Sequence, residues 1–172
     1  MKKILLIAAM ALSFVVTAVA ANPLDKATGA IENKFGGKAR AIGLRLGNGG
    51  ELSYQHSLGA NFVEVDAGLG LGFDGVFNVG ATAVYNFMLV QPQWTDRGEW
   101  GVYAGPGASV GLNLGEVNNL TVGAAGMVGL EYSFWFPLQL SIDVKQNLGV
   151  CIGGERVIWS PTSIALGVRY RF

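Results

Sequence analysis

From Lys38 almost to its last residue the chain alternates apolar and polar positions with a period of two, the signature of β-strands that keep one apolar face. A first strand over about 39–47 sets Ile42, Leu44 and Leu46 against Ala41, Gly43 and Arg45, and Asn48-Gly49-Gly50 predicts a tight turn with positive φ. A second, about 51–58, sets Leu52, Tyr54, His56 and Leu58 against Ser53, Gln55 and Ser57. After Gly59-Ala60-Asn61 the third sets Val63, Val65, Ala67, Leu69, Leu71 and Phe73 against Glu64, Asp66 and three glycines. Asp74-Gly75 predicts the next turn. The fourth strand, about 76–87, puts Phe77, Val79, Ala81, Ala83, Tyr85 and Phe87 opposite Asn78, Gly80, Thr82 and Asn86.

A connection over about 91–98 precedes a fifth strand over about 99–112. There Pro106, which has no N–H for the ladder, predicts a bulge or local break. A loop over 115–119 leads to a sixth strand, about 120–134, and a turn at Trp135-Phe136-Pro137 to a seventh. In the seventh, Leu138, Leu140, Ile142 and Val144 alternate with Gln139, Ser141, Asp143 and Lys145. The longest loop is expected over 147–162. A last strand carries Ile164, Leu166, Val168, Tyr170 and Phe172 against Ala165, Gly167, Arg169 and Arg171.

The two faces differ in charge. Arg45, Glu64, Asp66, Glu131, Asp143, Lys145, Arg169 and Arg171 all fall opposite the apolar face, together with many glycines. Composition adds a puzzle: 51% of the chain is hydrophobic and only 14% charged, well below the roughly 25% charge of soluble domains. Yet beyond the first twenty residues no segment reads as a membrane helix. In a bilayer every backbone group must pair internally, so the alternative to a helix is a closed barrel. The pattern predicts an all-β chain: an eight-stranded antiparallel up-and-down transmembrane β-barrel, apolar face to lipid and charged residues in the lumen.

The N-terminus sharpens this reading. Met1-Lys2-Lys3, thirteen residues from Ile4 to Val16 broken in polarity only by Ser13, and Ala18-Val19-Ala20 form the three parts of a secretory signal peptide. Thirteen residues are too few for a spanning helix, which needs about 20. The expected organisation is a cleaved signal peptide over 1–20, a periplasmic tail over 21–37 and the barrel over 38–172. Removing Lys2 and Lys3 leaves ten Lys+Arg against twelve Asp+Glu, with no basic patch for nucleic acid. The one cysteine, Cys151, excludes an intrachain disulfide and a Cys-rich metal site.

Catalytic readings are weak. The one histidine, His56, lies beside Ser57, and strand neighbours point to opposite faces. The GxGxxG string Gly70–Gly75 is followed by a strand rather than the helix a nucleotide site needs. No catalytic, cofactor or metal residue is assigned, and no cofactor is expected. The balanced inward charges read as a salt-bridged plug, since an eight-stranded bore is just wide enough for side chains to fill. The alternative is a narrow path for water, ions or small solutes.

The chain ends GVRYRF, with Val168, Tyr170 and Phe172 alternating. This is similar to the C-terminal signal of outer-membrane barrels, and the chain from about Lys38 resembles the OmpA/OmpX-type small barrels. Its YSFWFPLQLSIDVK hairpin is similar to one found in outer-membrane barrels of the Bacteroidetes. The resemblance implies a Gram-negative outer-membrane location and a monomer in contact with lipid and lipopolysaccharide. It also implies handling by periplasmic chaperones and by the barrel-assembly machinery, which would read Val168, Tyr170 and Phe172. Odd strands would run outward, with periplasmic turns near 59–61, 88–98 and 134–137. The expected role is structural or interactive at the surface and non-enzymatic, a channel being the next reading and a lipid-A-modifying enzyme the third.

Overall fold

The computed structural model describes residues 40–71, 77–114, 119–152, 157–159 and 162–172. The proposed signal peptide, the tail and the Asp74-Gly75 turn therefore lie outside the described residues. The strands are β1 (Arg40–Leu46), β2 (Gly49–Leu58), β3 (Asn61–Leu71), β4 (Phe77–Val90), β5 (Glu99–Leu114), β6 (Asn119–Ser133), β7 (Leu138–Ile152), β8 (Val157–Trp159) and β9 (Ser163–Arg171). No helix occurs among the described residues. Each strand pairs antiparallel with its sequence neighbour from β1 through β7, and β9 then pairs with both β7 and β1. The ring is closed with eight staves. The short β8 pairs only with Leu148–Val150 of β7, above the stretch of β7 that β9 occupies, so β8 and β9 together make the eighth stave.

Closure has a measurable stagger. Paired residues lead from Leu140 on β7 to Val168, Leu44, Leu52, Ala67, Ala81, Val110 and Val122, and return to β7 at Val150. The path has climbed ten residues in one circuit. For eight strands that shear corresponds to a tilt of about 40° and a backbone radius of about 8 Å. Such a bore is only wide enough for side chains, so the inward residues have to fit one another.

Side chains alternate as the period-two pattern predicts, and they do so inside out. On β7, Ile142 and Val144 are 48% and 41% exposed while Asp143 and Lys145 between them are 1% and 2%. Leu44 on β1 is 52% exposed, next to Arg45 at 1%. The outer wall is apolar and the interior polar.

Four local features depart from the sequence reading or sharpen it. The first turn lies at Gly47–Asn48, closed by Gly47 N–H donating to Gly49 O at 3.0 Å, and Gly49 is already in β2. Among the described residues the glycines with positive φ are Gly59 (+79°) and Gly98 (+84°), so neither Asn48 nor Gly49 takes that conformation. Gly59-Ala60 makes a two-residue hairpin closed by Leu58 and Asn61, with positive φ at the first position as a type II′ turn requires.

Second, Pro106 makes a local break in the β4–β5 ladder but no bulge. β5 runs unbroken and pairs with β6 through Pro106↔Gly126. Toward β4, pairing lapses only between Val84↔Gly107 and Phe87↔Ala104 and resumes in the same register. One rung is lost on the side where proline lacks its donor, but no phase. Third, the bulge lies at Met88/Val90, and consecutive Leu89 and Val90 both face outward there, each 57% exposed. Fourth, the expected 147–162 loop is largely strand, since β7 continues to Ile152 and β8 pairs back onto it.

Gly59→Ala is expected to destabilise the folded barrel by about 1–2 kcal/mol because its φ lies in the left-handed region. Gly126→Ala, where an added Cβ meets nothing within 4 Å, should change stability by under about 0.5 kcal/mol. Urea unfolding of both variants in micelles measures the difference.

Candidate functional site

Among the described residues, charged groups converge in the lumen. Alternation aims Arg45 of β1, Glu51 and Ser53 of β2, Glu64 and Asp66 of β3, Asp143 and Lys145 of β7 and Arg169 of β9 at the axis, and closure brings them together. Arg45 stands at the centre. Its guanidinium donates to Asp66 Oδ2 at 3.1 Å, to both oxygens of Asp143 and to Glu51, and lies 3.7 Å from Glu64. Lys145 Nζ bridges Glu51, at 2.8 Å to each oxygen, and Asp66 at 3.2 Å.

Toward the end that holds the Gly59 turn, Arg169 spreads its donors over three partners. Nε donates to Ser53 Oγ at 2.9 Å, Nη1 to Ser141 Oγ at 2.7 Å and Nη2 to Glu64. Glu64 also accepts from Ser53 at 3.1 Å and from Gln55 at 2.9 Å. Each of these charges is paired and hydrogen-bonded, the condition under which buried charge is tolerable. Tyr103 Oη donates to Asp143 at 3.4 Å and joins the network to β5.

A second, mostly apolar layer lies beside these charges. Phe62 packs edge-to-face on Tyr103 with centroids 5.1 Å apart, and Val84, Ala125 and Met127 complete the cluster. Room for the large side chains comes from glycine. A Cβ at Gly129 would strike the Tyr103 ring, and one at Gly167 would lie 2.8 Å from Arg169 Nη1. Gly129 and Gly167 are therefore recesses, the first filled by Tyr103 of the neighbouring strand and the second by Ser141 of β7 and by Arg169 of its own strand.

Glu131 and Arg171 sit apart from this centre. Glu131 is buried and accepts a hydrogen bond from Gln139 Nε2 at 2.6 Å. Arg171 is half-buried at the rim. Both line a recess of about 50 Å³ with Arg40, Asn61 and Phe62, enough for a water molecule or two. The eight charges read from the sequence thus divide into six that interlock (Arg45, Glu64, Asp66, Asp143, Lys145 and Arg169) and two that border the recess.

Glu51 is the member the sequence reading missed. Counting back from Ser53 and Gln55 gives its inward phase, but the turn misplaced at 48–50 hid it. Phe62 and Val84 were missed as inward residues too, although Glu64 and Thr82 set their phase.

Of the remaining candidates, His56 faces outward on β2, stacked with Tyr54 at a centroid distance of 6.5 Å. Cys151 lies near the far end of β7, its Sγ 3.8 Å from Thr121 Oγ1. The GxGxxG string begins in β3 and continues outside the described residues. Val168 and Tyr170 face outward on β9, and Phe172 ties the chain end to β1 through Phe172 N–H donating to Arg40 O at 2.9 Å. No family model, curated protein or solved structure matches the chain.

Arg45→Met is expected to cost roughly 3–5 kcal/mol, because it strands Asp143 without a cation and leaves Asp66 with Lys145 alone. Arg171→Met, at the rim where water reaches, should cost under about 1 kcal/mol. Denaturant midpoints of the two variants in the same detergent test the ranking.

Proposed function

We propose that this chain is an integral β-barrel of a bacterial outer membrane, related to the OmpA/OmpX-type small barrels that its sequence resembles. In this reading it is exported by a cleavable signal peptide over 1–20 and acts as a non-enzymatic structural or surface-interacting protein. Its partners are outer-membrane lipid and lipopolysaccharide, with chaperones and the assembly machinery engaged during biogenesis.

The observation that carries the proposal is the inversion of burial on every stave. A barrel living in water would bury Leu44, Ile142 and Leu166 and wet Arg45, Asp143 and Arg169; here the six are arranged the other way. An apolar belt this continuous greatly exceeds the patches that soluble monomers expose. Hydrocarbon as the outer solvent removes that cost, and the closed ring meets the demand that every strand have two partners there.

Aromatic residues support the same reading. Trp94, Trp100, Tyr132, Phe134, Trp135 and Phe136 form a continuous run of ring contacts at the end of the barrel with the 91–98 and 134–137 turns, with centroids 4.6–6.0 Å apart. Tyr132 Oη donates to Arg97 O at 2.5 Å, and the Arg97 guanidinium lies 6.0 Å over Trp135. Rings with a polar edge beside a cation suit the headgroup level of a bilayer.

A filled lumen favours the structural role over conduction. Arg45, Arg169, Tyr103 and Met127 each have 2% or less of their surface exposed, which supports a plugged bore.

Three results are expected. The barrel should refold only with detergent or lipid and should migrate differently on gels before and after boiling; a monodisperse soluble monomer in plain buffer would refute the membrane reading. Leu140→Lys should cost about 2–4 kcal/mol if near the midplane, and Gln139→Lys less, since the latter points toward the Glu131 carboxylate. In planar bilayers the protein should show no stable conductance, and reproducible ion-selective openings would favour the channel.

A further inference from the structure

The recess at the Gly59 end of the lumen carries opposite charges at two depths. Arg171 N–H donates to Pro137 O at 3.2 Å, which sets Arg171 beside the 134–137 turn at the mouth. Arg40, exposed at the start of β1, lines the mouth with it, since Ala41, next in the chain, pairs with Arg171. Glu131 lies further in, paired with Ser141 of β7, and is buried. Gln139, Ser133 and Gln55 line the same recess and are buried as well.

Hydrogen bonds fix what this lining offers a guest. Gln139 Nε2 donates to Glu131 at 2.6 Å, and Gln55 Nε2 donates to Glu64 at 2.9 Å. Each amide therefore turns its NH2 group to a carboxylate and its carbonyl oxygen the other way. Two carbonyls, the Ser133 hydroxyl and the Glu131 carboxylate make the inner part rich in acceptors. Such a lining suits a cationic group with several N–H donors. A primary ammonium meets both conditions, and with the methylene that carries it takes about the room of two water molecules. Arginine at the mouth favours an anion behind that ammonium, and a guanidinium matches the geometry of phosphate.

We propose that the recess binds a phosphorylated primary amine, its ammonium on Glu131 and its phosphate at Arg171 and Arg40. Two sources carry that chemistry: the ethanolamine headgroup of a phospholipid and free phosphoethanolamine. Binding of the free compound is independent of the membrane reading above, whereas a lipid source rests on it.

The test titrates isotope-labelled barrel in maltoside micelles, whose headgroups are uncharged, and follows the backbone amide resonances of Ser133, Gln139 and Arg171. The probes are phosphoethanolamine, ethanolamine, phosphocholine and glycerol phosphate. Saturable shifts at these three residues are expected. Phosphoethanolamine should bind about tenfold more tightly than phosphocholine, which has no N–H, and than glycerol phosphate, which has no cation. Glu131→Gln should abolish the preference over glycerol phosphate, and Arg171→Met the preference over ethanolamine. Dihexanoylphosphatidylethanolamine in the same micelles produces the same shifts if the source is lipid; shifts with the soluble compound alone assign the recess to the free amine. Equal affinities for phosphoethanolamine, phosphocholine and glycerol phosphate in the unsubstituted protein, or no saturable shift at the recess, overturn the proposal even if neither variant folds. The membrane reading is judged separately, by the need for amphiphile in refolding, and survives that failure.

Discussion

The ladder between β1 and β9 is what the rest of the molecule depends on. Without it the sheet has two open edges and no interior; with it every stave has two partners and the chain acquires an inside and an outside. The shear of ten residues then sets the bore, and the bore sets the chemistry. A tube of about 8 Å radius has room for side chains but not for a conventional apolar core two layers deep. Each inward position must therefore be judged by the side chains that lean over it, which is why glycine stands at Gly129, beneath the ring of its cross-strand partner Tyr103.

Charge in such a tube is tolerated only when it is shared out. Arg45 and Arg169 are almost wholly removed from solvent, and each offers its donors in several directions to carboxylates and hydroxyls carried by different staves. The planar guanidinium suits this arrangement, because one group can bridge three strands where an ammonium acts as a point charge. Lys145 takes the position near the half-buried Glu51, where solvent relieves part of the desolvation. The interior is thus specific rather than merely filled.

Much of this was legible in the alternation of residues. Phase is robust: Val63 to Leu69 against Glu64 and Asp66 allows only one facing, and Pro106 left it untouched because a lost rung shifts no register. What escaped was information that period two does not carry. The run Phe87-Met88-Leu89-Val90 has no polar member to mark the bulge. The end of β7 holds Asn147 and Gly149, residues typical of loops, yet pairing with β6 keeps it extended. Glu51 was obscured by a turn placed one step late. The network itself was visible only as a set of residues sharing a face; which carboxylate meets which cation depends on the shear, and shear is a property of the closed ring.

The chain positions of those partners bear on how the barrel is made. The contacts of Arg45 with Asp143 and of Arg169 with Glu64 and Ser53 join residues 98, 105 and 116 positions apart. None of these contacts can form while the last stave is missing. An unfinished sheet holding β1 to β7 would present Arg45, Glu64 and Asp66 on an open concave face with the second guanidinium absent. Such a face would hold buried charge without its partners. Arrival of the C-terminal strand closes the sheet edge and completes the charge pairing in one event.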